Sequence, residues 1–284
     1  MHRKEPSYKF GIEYDVSDSS MLFASHSTGY RVEPEAMNWR MEALPPQKII
    51  SYEIGAKNRF FGNKLQINAS AFYYDYTNLV FVNRQDAYID PVTRTYDPTG
   101  IRVSDQGGRM PGNLRMYGTD IQTSWIISPQ DRLELSVSYL DNWIESLTAD
   151  YEFDDQPYSD NYEFGNREPI TSPKLTIGLD YSHNFQLASG ATLTARFDSR
   201  YQSEYKGDWL DFNPRTGADV TGIITQEAQH VDNVTLVYAN SDGKWTVSGY
   251  VKNVGDYAVK RSASTRGHTL GPPRTYGAIL SVRY

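Results

Sequence analysis

Apolar residues recur at every second position in ten stretches of this chain. The cleanest is Arg132 to Tyr139, where Leu133, Leu135, Val137 and Tyr139 alternate with Arg132, Glu134, Ser136 and Ser138. The same alternation runs through Tyr8, Phe10, Ile12, Tyr14 and Val16, through Ile50, Tyr52, Ile54 and Ala56, and through Leu65, Ile67, Ala69 and Ala71. It returns at Tyr117, Thr119, Ile121 and Trp125, at Leu175, Ile177, Leu179 and Tyr181, and at Leu193, Ala195 and Phe197. The last stretches hold Val234, Leu236 and Tyr238, then Trp245, Val247, Gly249 and Val251, then Tyr276, Ala278, Leu280, Val282 and Tyr284. A period of two over this length predicts strands with one apolar and one polar face. The remaining strand, about Met21 to Tyr30, has apolar residues in both phases, so its facing is open.

The connections alternate in length. Short turns stand at Ser17-Asp18-Ser19, Gly62-Asn63, Ser128-Pro129-Gln130, Leu187 to Gly190 and Asn240 to Gly243. Between them lie a Pro34/Pro45/Pro46 segment and long loops over about 83 to 112, 145 to 172 and 205 to 228. Membrane barrels have short turns at one end and long loops at the other. Soluble domains seldom carry such long loops. Charge is segregated too: Glu13, Glu53, Lys57, Arg132, Glu134, Lys174, Asp180, Arg196, Asp198 and Arg200 all take the polar phase. The pattern predicts an all-β, antiparallel, up-and-down transmembrane barrel wall. Leu133, Leu135, Val137, Leu175, Ile177, Leu179, Ala278 and Leu280 are expected to face lipid, and the long loops to share one side. The alternative is a soluble β-sandwich that buries the apolar face.

Composition narrows this. Only 39% of the 284 residues are hydrophobic, and no stretch approaches the roughly 20 apolar residues of a membrane helix. A barrel strand needs only about 10, half of them polar. The 22 Tyr and 5 Trp suit a membrane–water boundary, where Tyr284 would also sit. With no cysteine there is no disulfide or thiolate chemistry, and a net charge of -7 argues against nucleic acid. The opening MHRKEPSYKF lacks the apolar core of a signal peptide, so the chain is expected to be part of a longer one.

Candidate chemistry is sparse. His2, His26, His183, His230 and His268 lack the spacing of a zinc site. No nucleophile elbow or phosphate-binding glycine loop occurs. The chain is read as non-enzymatic, with no catalytic, metal or cofactor residue and no ligand-binding residue assigned. Residues 145 to 172 hold eight acidic residues, including Asp150, Glu152, Asp154, Asp155, Asp160 and Glu163, against the single base Arg167. Residues 83 to 112 balance Arg84, Arg94, Arg102 and Arg109 against Asp86, Asp90, Asp97 and Asp105. Both read first as solvated loops. Arg196 and Arg200, flanking Asp198, read as a charge ladder on the wall.

Five stretches carry a family resemblance: Ser27-Thr28-Gly29-Tyr30-Arg31; Tyr52-Glu53-Ile54-Gly55-Ala56-Lys57 and Ala71-Phe72-Tyr73-Tyr74-Asp75-Tyr76, as a pair; Lys252-Asn253-Val254; and Gly271-Pro272-Pro273-Arg274-Thr275-Tyr276-Gly277. From about residue 8 to 284 the chain resembles the barrel of TonB-dependent outer-membrane receptors. The resemblance implies an N-terminal plug, a 22-stranded barrel, and import of a scarce nutrient, most often a ferric siderophore. The inner-membrane TonB complex would supply the energy. On that reading residues 1–284 are the C-terminal part of the barrel, about eleven strands without a plug, in the bacterial outer membrane. The implied partners are outer-membrane lipids, the plug and N-terminal barrel half, TonB through that part, and an iron chelate. The alternatives are a passive porin or adhesin barrel and a soluble carbohydrate-binding sandwich. An odd strand count leaves first and last strands parallel, so eleven alone do not close.

Overall fold

The computed structural model describes residues 6–32, 44–83, 87–89, 101–103, 108–149, 162–163, 165–208, 218–264 and 267–283. Tyr284 and His2 lie outside them. All eleven expected strands are present, in one sheet and in chain order. They are β1 (Lys9–Ser17), β2 (Ser20–Arg31), β3 (Gln47–Phe60), β4 (Leu65–Asn83), β5 (Gly108–Ile126), β6 (Asp131–Ala149), β7 (Leu175–Gln186), β8 (Thr192–Gln202), β9 (Gln229–Ala239), β10 (Trp245–Lys252) and β11 (Thr275–Val282). Each is antiparallel to the next. The short turns therefore gather at one end of the sheet and the long connections at the other.

The register keeps the two faces apart across the whole sheet. Val137 lies opposite Ile121 and Ile177, and Leu135 opposite Thr123 and Leu179. Phe197 meets Tyr181 and Val234, and Val247 meets Tyr238 and Leu280. This apolar face is exposed rather than packed: Ile54, Ile121, Tyr181, Leu236 and Leu280 are among the exposed hydrophobics. The sandwich alternative fails here, because among the described residues no second sheet covers that face. The exposure is greatest at the borders, at 68% for Ile12 on β1 and 66% for Leu280 on β11, against 47% for Leu236 inside the sheet. Among the described residues no pairing joins β1 to β11. No helix among them is long and apolar enough to cross a membrane.

The open facing of β2 is resolved by its partners. Leu22 and Ala24 sit opposite Tyr14 and Ile12, so they share the apolar face, and Phe23 points to the polar side. There its ring lies over Gly55, where an added Cβ would come within 2.5 Å of Phe23. Phe72 covers Gly118 in the same way, and the Tyr139 carbonyl would crowd a Cβ there. Glycine opposite an aromatic lets the ring lie flat on the sheet and pin the register. The Gly62-Asn63 turn is a four-residue connection, Phe61 to Lys64, with positive φ at Phe61, Gly62 and Asn63.

At the loop end the strands run further than alternation predicts. β4, β5 and β6 have 19 residues each. Two bulges are the cause. The β4–β5 register shifts between Tyr76 and Leu79, and the β5–β6 register between Asn113 and Leu114. A bulge inserts a residue and flips the phase of the strand beyond it. Leu79, Phe81 and Leu147 thereby turn to the inner side, where they join Tyr76, Met116 and Ile170 around Leu114 and Ile144. Ile144 and Leu147 are fully buried. The expected loops also hold structure of their own: Ala87–Ile89 pairs with Ile101–Val103, Thr148 and Ala149 pair with Glu163 and Tyr162, and Tyr205–Lys206 pairs with Thr225–Gln226 beside a one-turn helix, α1 (Thr221–Ile224).

Candidate functional site

The polar face is the concave one. A cavity of about 610 Å³ spans it from Gln66 on β4 to Asn233 on β9. Its floor is layered by charge. Glu134, Asp180 and Asp198 are directly opposite one another on three neighbouring strands, flanked by Ser124 and Asn233. Like charges facing across a ladder repel. Relief comes from the adjacent layers, where Arg132 and Arg196 face Ser182, and Arg200 faces Gly178. Arg196 Nε stands 3.7 Å from Asp180, and the Asn233 amide donates to Asp198. The ladder read from the sequence at Arg196, Asp198 and Arg200 is thus present, extended by Asp180 and Glu134 from two other strands.

The convex face is a band between two aromatic rows. His26, Tyr52, Tyr73 and Tyr117 are successive register partners near the loop end, and the His26 ring stacks on Tyr52 at 4.5 Å. Toward the turns the same role falls to Phe60, Trp125 and Phe185. Tyr117 and Trp125 are eight residues apart on β5, about 27 Å of strand at ~3.4 Å per residue, or about 21 Å of height at a barrel tilt of ~40°. A membrane barrel presents an apolar band about 25 Å tall between aromatic girdles. Beyond the tyrosine row the convex face becomes charged. Arg115 pairs with Glu145 at 3.0 Å, the Tyr117 hydroxyl donates to Asp141 at 2.5 Å, and Lys174 lies 2.6 Å from Glu168 and 3.6 Å from Asp141. The Glu168 carboxylate raises the Lys174 ammonium above its ordinary pKa. Near α1, the hydroxyl and backbone N–H of Thr221 hold Asp219 below the usual carboxylate range.

The histidines are dispersed. His183 Nδ1 donates to Asp131 at 2.6 Å, where the carboxylate also accepts from the Tyr181 and Ser128 hydroxyls at 2.6 and 2.5 Å. His268 lies on a loop hairpin, Lys260–Ser264 with Gly267–Leu270. Among the described residues no three His, Asp or Glu side chains gather as a metal site. Sequence reading missed one cluster. Ser199 Oγ is 2.7 Å and Asp232 Oδ1 3.0 Å from the same nitrogen, His230 Nε2. A hydrolytic triad needs serine and carboxylate on opposite ring nitrogens, so this arrangement does not relay a proton. The readable signal was His-x-Asp on a strand, which puts both side chains on one face. The acidic residues at 150, 152, 154, 155 and 160 lie outside the described residues, as do Arg84, Arg94, Asp86, Asp90, Asp97 and Asp105.

One sheet with an exposed apolar face outside, a wet charged concavity inside and loops at one end defines a barrel wall of the transmembrane kind. The comparisons agree: residues 2–261 match the family described as TonB dependent receptor-like, beta-barrel, and the chain belongs to that family. No curated protein matches the sequence. Among solved structures, the ferric yersiniabactin uptake receptor FyuA from Yersinia pestis superposes with a TM-score of 0.68 at 12% identity, covering 96% of this chain and 36% of that one. The ferripyoverdine receptor of the outer membrane of Pseudomonas aeruginosa gives 0.66 at 17% identity, over 96% and 32%. The siderophore receptor PiuA from Acinetobacter baumannii gives 0.65 at 15%, over 96% and 35%. These likenesses show the fold. The chain spans about a third of the length of the structures it resembles. TonB-dependent receptor barrels reside in the bacterial outer membrane and form a family of transport receptors, not enzymes.

Proposed function

We propose that this chain forms the C-terminal part of the wall of an energy-coupled outer-membrane importer, with a ferric siderophore or another iron complex as cargo. The observation that carries this is the inside-out amphipathic sheet, apolar where it is convex and charged where it is concave, in a chain of this family. β1 and β11 both run toward the turn end, and a barrel must satisfy every edge N–H and C=O in hydrocarbon, at several kcal/mol each. Neither edge can pair antiparallel with the other. The reading therefore assigns further strands to both edges, a plug to the concave face, and the TonB complex as energy source through that plug. It gives the chain no catalytic role.

The test is uptake in a receptor-deficient strain. A gene joining residues 1–284 to a plug and the remaining strands should support uptake of iron chelates that stops when the proton gradient is dissipated. Residues 1–284 alone, behind a signal peptide, should support none. Uptake that ignores the gradient would favour the passive pore, and gradient-dependent uptake by residues 1–284 alone would overturn the division of labour.

A further inference from the structure

Asn253, in one of the stretches that carries the family resemblance, ends β10 in a left-handed conformation with φ 52° and is almost fully buried. Its side chain organises the connection to β11. Oδ1 accepts the Tyr257 N–H at 2.8 Å, and Nδ2 donates to the Tyr257 carbonyl at 2.9 Å and toward that of Pro272 at 3.5 Å. Asp256, also at positive φ, accepts the Arg274 N–H at 2.8 Å. The Tyr257 hydroxyl and the Lys260 ammonium then tie this connection to the neighbouring one, through the carbonyls of Ala228, Gly222 and Thr225.

What holds Asn253 itself is Asn233 on the concave wall, whose Oδ1 accepts the Asn253 N–H at 2.8 Å. The other half of the Asn233 amide donates to Asp198. The chemistry fixes the direction of this chain. An ionised carboxylate only accepts, so Asn233 must turn its NH2 toward Asp198 and leave its oxygen for Asn253. A donor at position 198 would favour the opposite amide orientation and set two donors, Nδ2 and the Asn253 N–H, against each other.

We propose that Asp198, Asn233 and Asn253 form a relay through which the charge on the concave wall positions the β10–β11 connection at the loop end. A cationic side chain that takes over Asp198 from Asn233 loosens that connection; this last step rests on the plug-filled reading above, whereas the relay does not. Asp198 and Asn233 are positioning residues here, acting through Asn253.

The experiment is hydrogen–deuterium exchange of residues 1–284 joined to the plug and remaining strands, as in the uptake test, in membrane vesicles, read at the amides of Asn253, Tyr257 and Arg274. Losing a buried hydrogen bond that fixes a segment weakens its protection by up to about tenfold. Asp198→Lys and Asn233→Leu should each speed exchange at all three amides by about that factor. Asp198→Asn keeps an acceptor at the same place and should stay within about twofold of the parent. Protection in the β3–β4 hairpin reports that the sheet is intact, and Asn233→Leu carries no charge, so it serves if Asp198→Lys fails to assemble. Unchanged exchange in Asn233→Leu overturns the relay. Equal loosening in Asp198→Asn and Asp198→Lys overturns the amide-orientation argument. If the relay holds in these variants, exchange compared with and without a plug in the same barrel tests the cationic step alone, and equal protection in both overturns that step and leaves the relay standing.

Discussion

β4, β5 and β6 are built twice over, and the two halves are opposites. Toward the turns, Ile67, Ile121, Leu135 and Val137 take the outward phase, half-buried or exposed, while Gln122, Glu134 and Ser136 line the concavity. Toward the loops, Leu79, Phe81, Leu114, Ile144 and Leu147 face inward and pack together, while Arg115, Asp141 and Glu145 face outward. The inversion falls at the row of Tyr73 and Tyr117. One set of strands cannot be amphipathic in both senses within a single solvent. The lower half is fitted to an apolar surrounding, the upper half to water, and the tyrosines mark the boundary.

The largest effect should come from truncating the upper core. Ile144→Ala or Leu147→Ala leaves a cavity in packed protein and should cost about 2–5 kcal/mol, seen as loop-end protease sensitivity with the lower sheet still protected. Leu135→Ala, in contrast, leaves a gap that lipid fills, because acyl chains are as apolar as leucine. It should cost under about 1 kcal/mol in bilayers, since no packed protein cavity is left behind. Equal costs at Leu147 and Leu135 would break the comparison.

Next is charge. In the barrel completed by the plug and remaining strands, Val137→Arg sits mid-band on the convex face and should cost about 2–4 kcal/mol, read from urea unfolding in vesicles. Its neighbour Ser136→Arg faces the cavity and should be nearly neutral. The inverse ranking would mean that the polar face, not the apolar one, meets lipid.

A smaller effect belongs to the bulge that produces the inversion in β4. Asn78 has φ 57°, its N–H donates to Asn113 Oδ1 at 3.3 Å, and its Nδ2 donates to the Pro46 carbonyl at 3.2 Å. Asn78→Ala should cost about 1–2 kcal/mol from left-handed strain and the lost bond. Asn78→Gly relieves the strain and should cost less. If glycine proves the worse, the backbone there is not what holds the bulge.

This bulge also shows where sequence reading stops. Strand number, order and facing were legible because lipid demands strict alternation through the band, as at Leu133 to Tyr139. Above the boundary a one-residue insertion reverses the phase, so the alternation stops short of Leu79 and Phe81 although they belong to β4. Phe23 gave no phase because its partner is a glycine on another strand, a fact of register alone. The acidic row was half legible: Arg196, Asp198 and Arg200 announce a ladder along β8, but Glu134 and Asp180 join it only by cross-strand pairing. Ser199 joins His230 and Asp232 for the same reason. The Asp198–Asn233–Asn253 connection needed both register and side-chain direction.

The smallest effect tests whether the concave wall is wet. Arg196→Gln removes the guanidinium 3.7 Å from Asp180, where the side chains are 58% and 37% exposed. In water such a pair is worth about 0–1 kcal/mol, and salt screens it. The loss leaves Glu134, Asp180 and Asp198 facing one another with one counter-charge fewer, so the row should repel more at low salt. The urea midpoint should therefore fall slightly at low ionic strength and recover toward the parent value near 1 M salt, where the screening length is about 3 Å. A loss above about 2 kcal/mol that salt does not touch would mean the row is desolvated. The cavity would then be a buried polar core rather than an aqueous face, and the contrast between the two halves of the sheet would need another cause than solvent.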